Sequence, residues 1–354
     1  TGFEYSDGWV DDARLVVANA VDARERGAEV LTRTACAKLQ REGAEWIATL
    51  RATDGRERTL RARFVVNAAG PWVAEFLDRC APTPARHHPR MIRGSHIVVR
   101  KLFDHDFAYI FQAPDGRIVF AVPYEGDLTL IGTTESEYTG DLAHPAIAAT
   151  EQAYLLDMAN RYFRRDLGVQ DVVWTFAGLR PLLAASADDP KSVTRDYVID
   201  FDHSGPPLLS VYGGKLTTYR KLAETVLGTV AHTLGNTSGA WTAAVPLPGG
   251  DMPDADFGEF LAQMRSRYEW LSPSLLHRYA RAYGTRMNKL LLGCAGVADL
   301  GEEVLPGLYA KEIHYLRAAE FAGTAQDVLY RRSKLGVHLP AGSEQILDAW
   351  LAQH

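Results

Sequence analysis

The stretch Leu208-Leu209-Ser210-Val211-Tyr212-Gly213-Gly214-Lys215-Leu216-Thr217-Thr218-Tyr219-Arg220 carries the clearest local pattern in the chain. Five residues of buried-strand character run into two glycines. Beyond Lys215 the apolar positions Leu216, Tyr219, Leu222, Val226 and Val230 recur at helical spacing. Paired glycines let a backbone approach a ligand closely, and the free amides at a helix start favour negative charge. A strand–Gly-Gly–helix unit therefore suits a phosphate, or the N1/C2 edge of a flavin that becomes anionic on reduction. Lys215 adds a positive charge, and Thr217 and Thr218 add hydroxyl donors. The same pattern serves equally as a plain strand-to-helix turn with glycines for tight packing.

Upstream, Phe64-Val65-Val66 ends in Asn67-Ala68-Ala69-Gly70-Pro71-Trp72, a second strand leading into a small-residue turn. Doubly wound folds admit cofactors at such strand ends. A compact turn, with Trp72 as core, reads the residues as well. Three further segments hold chemistry-bearing side chains: Gly94-Ser95-His96, Gly178-Leu179-Arg180-Pro181-Leu182 and Thr194-Arg195-Asp196-Tyr197. His96 could handle a hydroxyl proton while Arg180 and Arg195 bind an anion bidentately. Against this stands a structural histidine with two solvated arginines.

Periodicity and turn residues predict a helix from Asp11 to about Arg26 and a short strand from Glu29 to Thr34. A hairpin of 46–51 with 59–66 is expected about Asp54-Gly55. Strands are expected at 95–99, 108–111, 117–122 and 128–131, forming an antiparallel sheet. A helix should follow at about 150–165, then strands at 171–176 and 197–201. A Pro/Gly-rich link from Ala243 to Asp256 precedes a helical tail. There Ser272, Pro273 and Gly284 mark one helix as N-cap, first residue and stop, and others are expected near 308–321, 324–335 and 343–351.

The 354 residues suffice for two domains with cores of their own, and 47% hydrophobic with 23% charged residues describes an ordinary globular chain. A net charge of -6 argues against a nucleic-acid binder. Cys36, Cys80 and Cys294 are far apart with no CxxC spacing, offering neither an iron–sulfur nor a zinc framework. No window reads as a membrane-spanning helix, and Thr1 to Tyr5 does not open a signal peptide. The absence of an initiator Met leads us to expect a fragment. No GxGxxG occurs, although a complete Rossmann-type FAD protein needs one.

Taken together, the segments resemble the FAD-dependent glycerol-3-phosphate dehydrogenases, members of the D-amino-acid-oxidase-like flavoproteins. The resemblance rests on Tyr5 to Leu15, Val66 to Trp72, Arg93 to Val99, Ile131 to Thr134, Gly178 to Leu182, Thr194 to Tyr197, Tyr212 to Arg220 and Asp327 to Arg332, all in order. It spans the C-terminal two-thirds of such an enzyme and implies an α/β fold without its N-terminal phosphate loop, followed by a small helical domain. Residues 1–243 would be the remainder of the FAD-binding domain, with a substrate domain inserted at about 81–205, and 244–354 the helical domain. The implied reaction is oxidation of sn-glycerol 3-phosphate to dihydroxyacetone phosphate, with FAD as cofactor and quinone as acceptor. His96 and Arg180 would be catalytic, with Arg195 and Lys215 facing the phosphate or the flavin edge. Asn67, Gly70, Trp72, Gly213, Gly214, Lys215, Leu216, Thr217 and Thr218 would meet the flavin.

Among subfamilies, the aerobic quinone-reducing kind fits best, since the cysteine clusters of the anaerobic kind are missing. Its members resemble homodimers attached peripherally to the inner face of the cytoplasmic membrane. Without the phosphate loop, this polypeptide alone is expected to bind FAD weakly or not at all. Two rival readings stand beside this one: a related FAD enzyme acting on an amino acid or 2-hydroxy acid, and a non-catalytic fragment.

Overall fold

The computed structural model describes residues 2–186, 189–194 and 197–354. They form two compact units, one of residues 33–240 and the other of residues 1–32 with 241–354.

The first unit holds three sheets. Strands β1 (Thr34–Glu42), β2 (Glu45–Ala52) and β3 (Glu57–Ala62) form an antiparallel meander, with Gly55 at φ 84° in the expected turn. Strand β4 (Val65–Asn67) leaves that meander, although the hairpin was expected to run through Val66. It pairs in parallel with β13 (Leu208–Tyr212), which is antiparallel to β12 (Val198–Asp202). Every residue of β13 is buried, as its uninterrupted apolar character requires. After β4, the short helix α2 (Val73–Cys80) packs Val73 and Leu77 into a core with Leu39, Trp46, Leu208 and Tyr212.

The large sheet is built from β5 (Arg90–Arg100), β6 (Tyr109–Gln112), β7 (Ile118–Tyr124), β8 (Leu128–Gly132), β9 (Ser136–Glu137), β10 (Val172–Ser186) and β11 (Asp189–Thr194). Its spatial order is β11-β10-β5-β8-β7-β6, with β9 against β5. Successive side chains point to opposite faces. Ile97, Val99, Val119, Ala121 and Ile131 are buried against Leu155, Leu156, Met158 and Ala159 of helix α3 (Ala149–Tyr162). The alternate positions, His96, Phe120, Val122, Leu130 and Gly132, belong to the other face.

The strand expected at 29–34 starts only at Thr34, because the backbone before it turns at Arg33 with φ 53°. Strand β10 is far longer than 171–176: Gly178 and Pro181 look like breaks but pair in register with Gly94 and Met91. The helix after Gly213-Gly214 starts with a single 3-10 turn, Leu216–Thr218, and continues as α4 (Tyr219–Thr233). No α4 residue is fully buried: Tyr219, Leu222, Val226 and Val230 of its apolar stripe are half-buried, and Leu216 before it is exposed.

In the second unit, α1 (Asp12–Glu25) is capped by Asp11, which accepts a hydrogen bond from the Arg14 amide at 3.1 Å. Sequence reading put this helix in the FAD-binding domain, whereas it packs with the C-terminal helices. Arg14 pairs with the buried Glu320, and Arg24 donates to the carbonyls of Ala318 and Ala319. Helices α5 (Phe257–Arg267), α6 (Pro273–Tyr283), α7 (Met287–Leu290), α8 (Ala310–Glu320) and α9 (Ser343–Gln353) enclose a core that includes Tyr279, Met287, Ile313, Leu316 and Leu347. Ser272 caps α6 through the Leu275 amide, as its spacing before Pro273 predicts.

Candidate active site

On the face of the large sheet away from α3, one row of aligned residues crosses four strands: Phe120 on β7, Gly132 on β8, His96 on β5 and Phe176 on β10. Gly132 leaves room for the imidazole: a Cβ there would lie 2.1 Å from His96 Cδ2. Gly94, two residues along β5, does the same for Arg180, whose Nη1 and Nη2 would lie 2.6 and 2.9 Å from an added Cβ. Both glycines are required for space, since neither has a positive φ.

Arg180 and His96 thus meet at a cavity of about 260 Å³ lined also by Phe120, Val122, Leu130, Gly132 and Thr133. The Arg180 Nη2 donates to Thr133 Oγ1 at 3.3 Å, and that hydroxyl donates to the Thr134 carbonyl at 3.0 Å. Arg180 Nη1 and His96 Nδ1 are buried and find no hydrogen-bond partner among the described residues. Buried polar atoms normally have partners, so a pair of orphans in one cavity marks a place for a polar ligand. Burial, and then the charge of Arg180, push the His96 pKa down to about 4. At neutral pH the ring is uncharged and able to accept a proton, while the guanidinium beside it provides a fixed positive charge.

Behind this cluster, on the α3 side, Glu151 ties the strands together. Its carboxylate accepts from Ser95 Oγ (3.0 Å), Thr134 Oγ1 (2.8 Å), Ser136 Oγ (2.8 Å) and the Ala148 amide (3.0 Å), and pairs with Arg93 at 2.9 Å. Burial opposes its charge, but these donors prevail and hold its pKa below the usual carboxylate range. Ser95 adjoins His96 and Thr134 adjoins Thr133, so Glu151 fixes the backbone beneath both. The sequence reading missed Glu151, whose visible signal was only an acidic residue in a first helical turn. It likewise missed Thr133 and the spatial need for Gly94 and Gly132.

The second expected constellation forms where β4 and β13 end side by side, Ser210 pairing with Asn67. Gly213 and Gly214 take φ of 72° and 106°, a path that side-chain-bearing residues rarely follow. Lys215, Leu216, Thr217 and Thr218 after them are exposed, as is Trp72 beyond Gly70. Asn67 is committed to its own turn: its amide donates to the Val73 carbonyl at 2.9 Å and its Oδ1 accepts from Ala69 N at 3.3 Å. An exposed lysine, two hydroxyls and a glycine-cleared backbone at the ends of parallel strands fit part of a cradle for a planar, anion-bearing cofactor. None of these residues lines the His96–Arg180 cavity, but β10 connects the two places, since Leu183 packs in the core with Leu208 and Tyr212. Arg195 lies outside the described residues.

Comparison with known proteins identifies the family. A family model described as FAD dependent oxidoreductase matches residues 1–220, and one described as the C-terminal domain of alpha-glycerophosphate oxidase matches residues 240–352. A glycerol-3-phosphate dehydrogenase of Pseudomonas aeruginosa is 48% identical, over 99% of this chain and 69% of its own length. A D-erythritol 1-phosphate dehydrogenase of Brucella abortus is 43% identical, over 99% of this chain and 70% of its own. The structure of the glycerol-3-phosphate dehydrogenase from Bacillus halodurans complexed with FAD superposes with a TM-score of 0.82 at 30% identity, covering 97% of this chain and 68% of that one.

Proposed function

This chain belongs to the family of FAD-dependent glycerol-3-phosphate dehydrogenases, and on that premise we propose that it oxidises sn-glycerol 3-phosphate to dihydroxyacetone phosphate and delivers the electrons to quinone. The observation that carries the reading is one cavity holding a guanidinium with an unpaired donor and an uncharged, buried imidazole. A phosphate-bearing secondary alcohol asks for those two groups.

Arg180 binds the anionic group through Nη1, with Thr133 holding the other nitrogen in place. His96 Nδ1 accepts the proton of the C2 hydroxyl as the C2–H bond breaks, so the alkoxide is never left free. Bound FAD would supply the two-electron hydride acceptor that balances the oxidation of C2 to a carbonyl. Gly213, Gly214, Lys215, Leu216, Thr217 and Thr218, together with the Asn67-to-Trp72 turn, serve the flavin edge. In this reading Lys215 and Arg195 add positive charge toward the phosphate or that edge.

Membrane attachment in this proposal is peripheral, at the inner face of the cytoplasmic membrane, with the enzyme acting as a homodimer. No described helix is long and apolar enough to cross a membrane, which agrees with that arrangement.

The erythritol phosphate relative makes a longer polyol phosphate the second reading, since it would use the same anion site and base. Amino acids and 2-hydroxy acids are the third, because Arg180 can bind a carboxylate. Because the chain by itself is expected to bind FAD weakly, the assays join it to the N-terminal FAD-binding portion of a family member. Anaerobic bleaching of that FAD-loaded enzyme by each substrate class separates them, followed by reduction of a soluble quinone. Bleaching by glycerol 3-phosphate is expected; bleaching only by a carboxylate substrate overturns the proposal.

A further inference from the structure

The cavity has a polar side and a hydrocarbon side, and the sheet register sets them in sequence. The Arg180 guanidinium lies over Gly94. Two residues further along β5 comes His96, level with Gly132 and Phe120. Two further again comes the row of Val98, Leu130 and Val122, with Leu130 paired to Val122. Rows on one face of a strand are about 7 Å apart, at roughly 3.4 Å per residue. Anion site, base and apolar wall therefore follow one another in that order across one face of the sheet.

We infer that Val122 and Leu130, in the row beyond His96 and next to Phe120, set the length of the polyol the enzyme accepts, a step that rests on the polyol phosphate chemistry proposed above. With the phosphate at Arg180 and the reacting carbinol at His96, the remaining carbon of a three-carbon substrate points at this wall. A four-carbon substrate carries one more carbinol into it, and Val122 and Leu130 present only carbon to its hydroxyl. Buried hydroxyls without partners are disfavoured, and an apolar pocket discriminates against one extra hydroxyl by about 100-fold.

The test compares glycerol 3-phosphate with D-erythritol 1-phosphate on the FAD-loaded enzyme, through kcat/KM and through the two dissociation constants measured by calorimetry. Wild type is expected to favour the three-carbon substrate by roughly 10- to 200-fold. Val122→Thr keeps the β-branched shape and adds a hydroxyl, and Leu130→Asn adds an amide from the neighbouring strand. Each should move the four-carbon to three-carbon ratio upward by about tenfold, in both readouts. Equal ratios in wild type and both variants, with glycerol 3-phosphate still turned over, overturn the wall as a length gauge and leave the proposed reaction standing. A wild type that prefers the four-carbon substrate also overturns it. A wild type that binds and oxidises neither overturns the underlying reaction as well.

Discussion

The His96 imidazole stacks on the Phe176 ring, with centroids 4.8 Å apart and planes 7° from parallel. The aromatic face excludes water from one side of the base, and burial together with Arg180 pushes the His96 pKa down to about 4. The acid limb of kcat/KM should therefore report a group near 4, with no break at the ordinary histidine value of about 6.5. Replacing Phe176 by Leu admits water to the ring, so the break should move upward toward 6.5 while kcat/KM at pH 7 falls by about tenfold. An unmoved break in that variant would show that the stack does not tune the base.

Stability carries the same signature. His96 has its pKa depressed in the folded chain, so between about 4 and the unfolded value of roughly 6.5 the unfolded state binds more protons. The contribution is complete above that window and is lost as pH falls through it. Thermal melts of wild type and His96→Asn, taken from pH 7 to pH 4, should show wild type losing stability faster with acidification. Parallel curves would mean that the ring is not held uncharged.

The two glycines beneath the site give a third test. An Ala at position 94 places its Cβ 2.6 Å from Arg180 Nη1, the far end of a flexible side chain, and 2.7 Å from Thr133 Oγ1, a hydroxyl that can turn away to another rotamer. The fold can absorb that by moving the guanidinium and the Thr133 hydroxyl together, so the expected result is a near-normal melting temperature with KM raised about 10- to 100-fold, the loss of one charge-assisted hydrogen bond. At Gly132 the added carbon meets the stiff imidazole at 2.1 Å, so kcat should fall along with affinity. If Gly94→Ala leaves KM unchanged, the guanidinium does not bind the anion from its seat over Gly94.

The legibility of the chain follows from where its information is local. The Leu208 to Arg220 unit could be read because its hydrophobic period changes from strand-like to helical across two glycines. Strands β5, β7 and β8 could be read from alternation. Strand β1 could not, because Leu39 is its one buried residue and the rest is polar or part-exposed, held in place by pairing with β2. Likewise His96 and Arg180 stand out by residue type, whereas Gly94, Gly132, Thr133 and Glu151 acquire meaning only through strand register and through a helix more than fifteen residues away in sequence. Cross-strand pairing is non-local, and no single segment encodes it. Residues 1–32 show the same limit: α1 is evident from its cap and period, but its partners, Glu320 and the carbonyls after Arg317, lie at the other end of the chain.

A last prediction concerns the helical unit. Glu312 on α8 is fully buried and accepts from Arg278 Nη1 and Nη2 at 2.6 and 2.7 Å and from the Tyr283 hydroxyl. Burial and then the Glu312 charge hold the Tyr283 pKa well above its ordinary value, so the phenol stays protonated and continues to donate. Removing the carboxylate alone strands a nearly buried guanidinium, which typically costs about 3–5 kcal/mol. Glu312→Ala should therefore lower the melting temperature of this unit by on the order of 10 °C, at roughly 2–4 °C per kcal/mol. The double variant Glu312→Leu with Arg278→Met removes both charges and should recover most of that loss, because hydrocarbon packing replaces a costly desolvated pair. A double variant no more stable than Glu312→Ala would show that hydrogen bonding to Tyr283 and to the Gly307 carbonyl, and not charge compensation, holds these helices together.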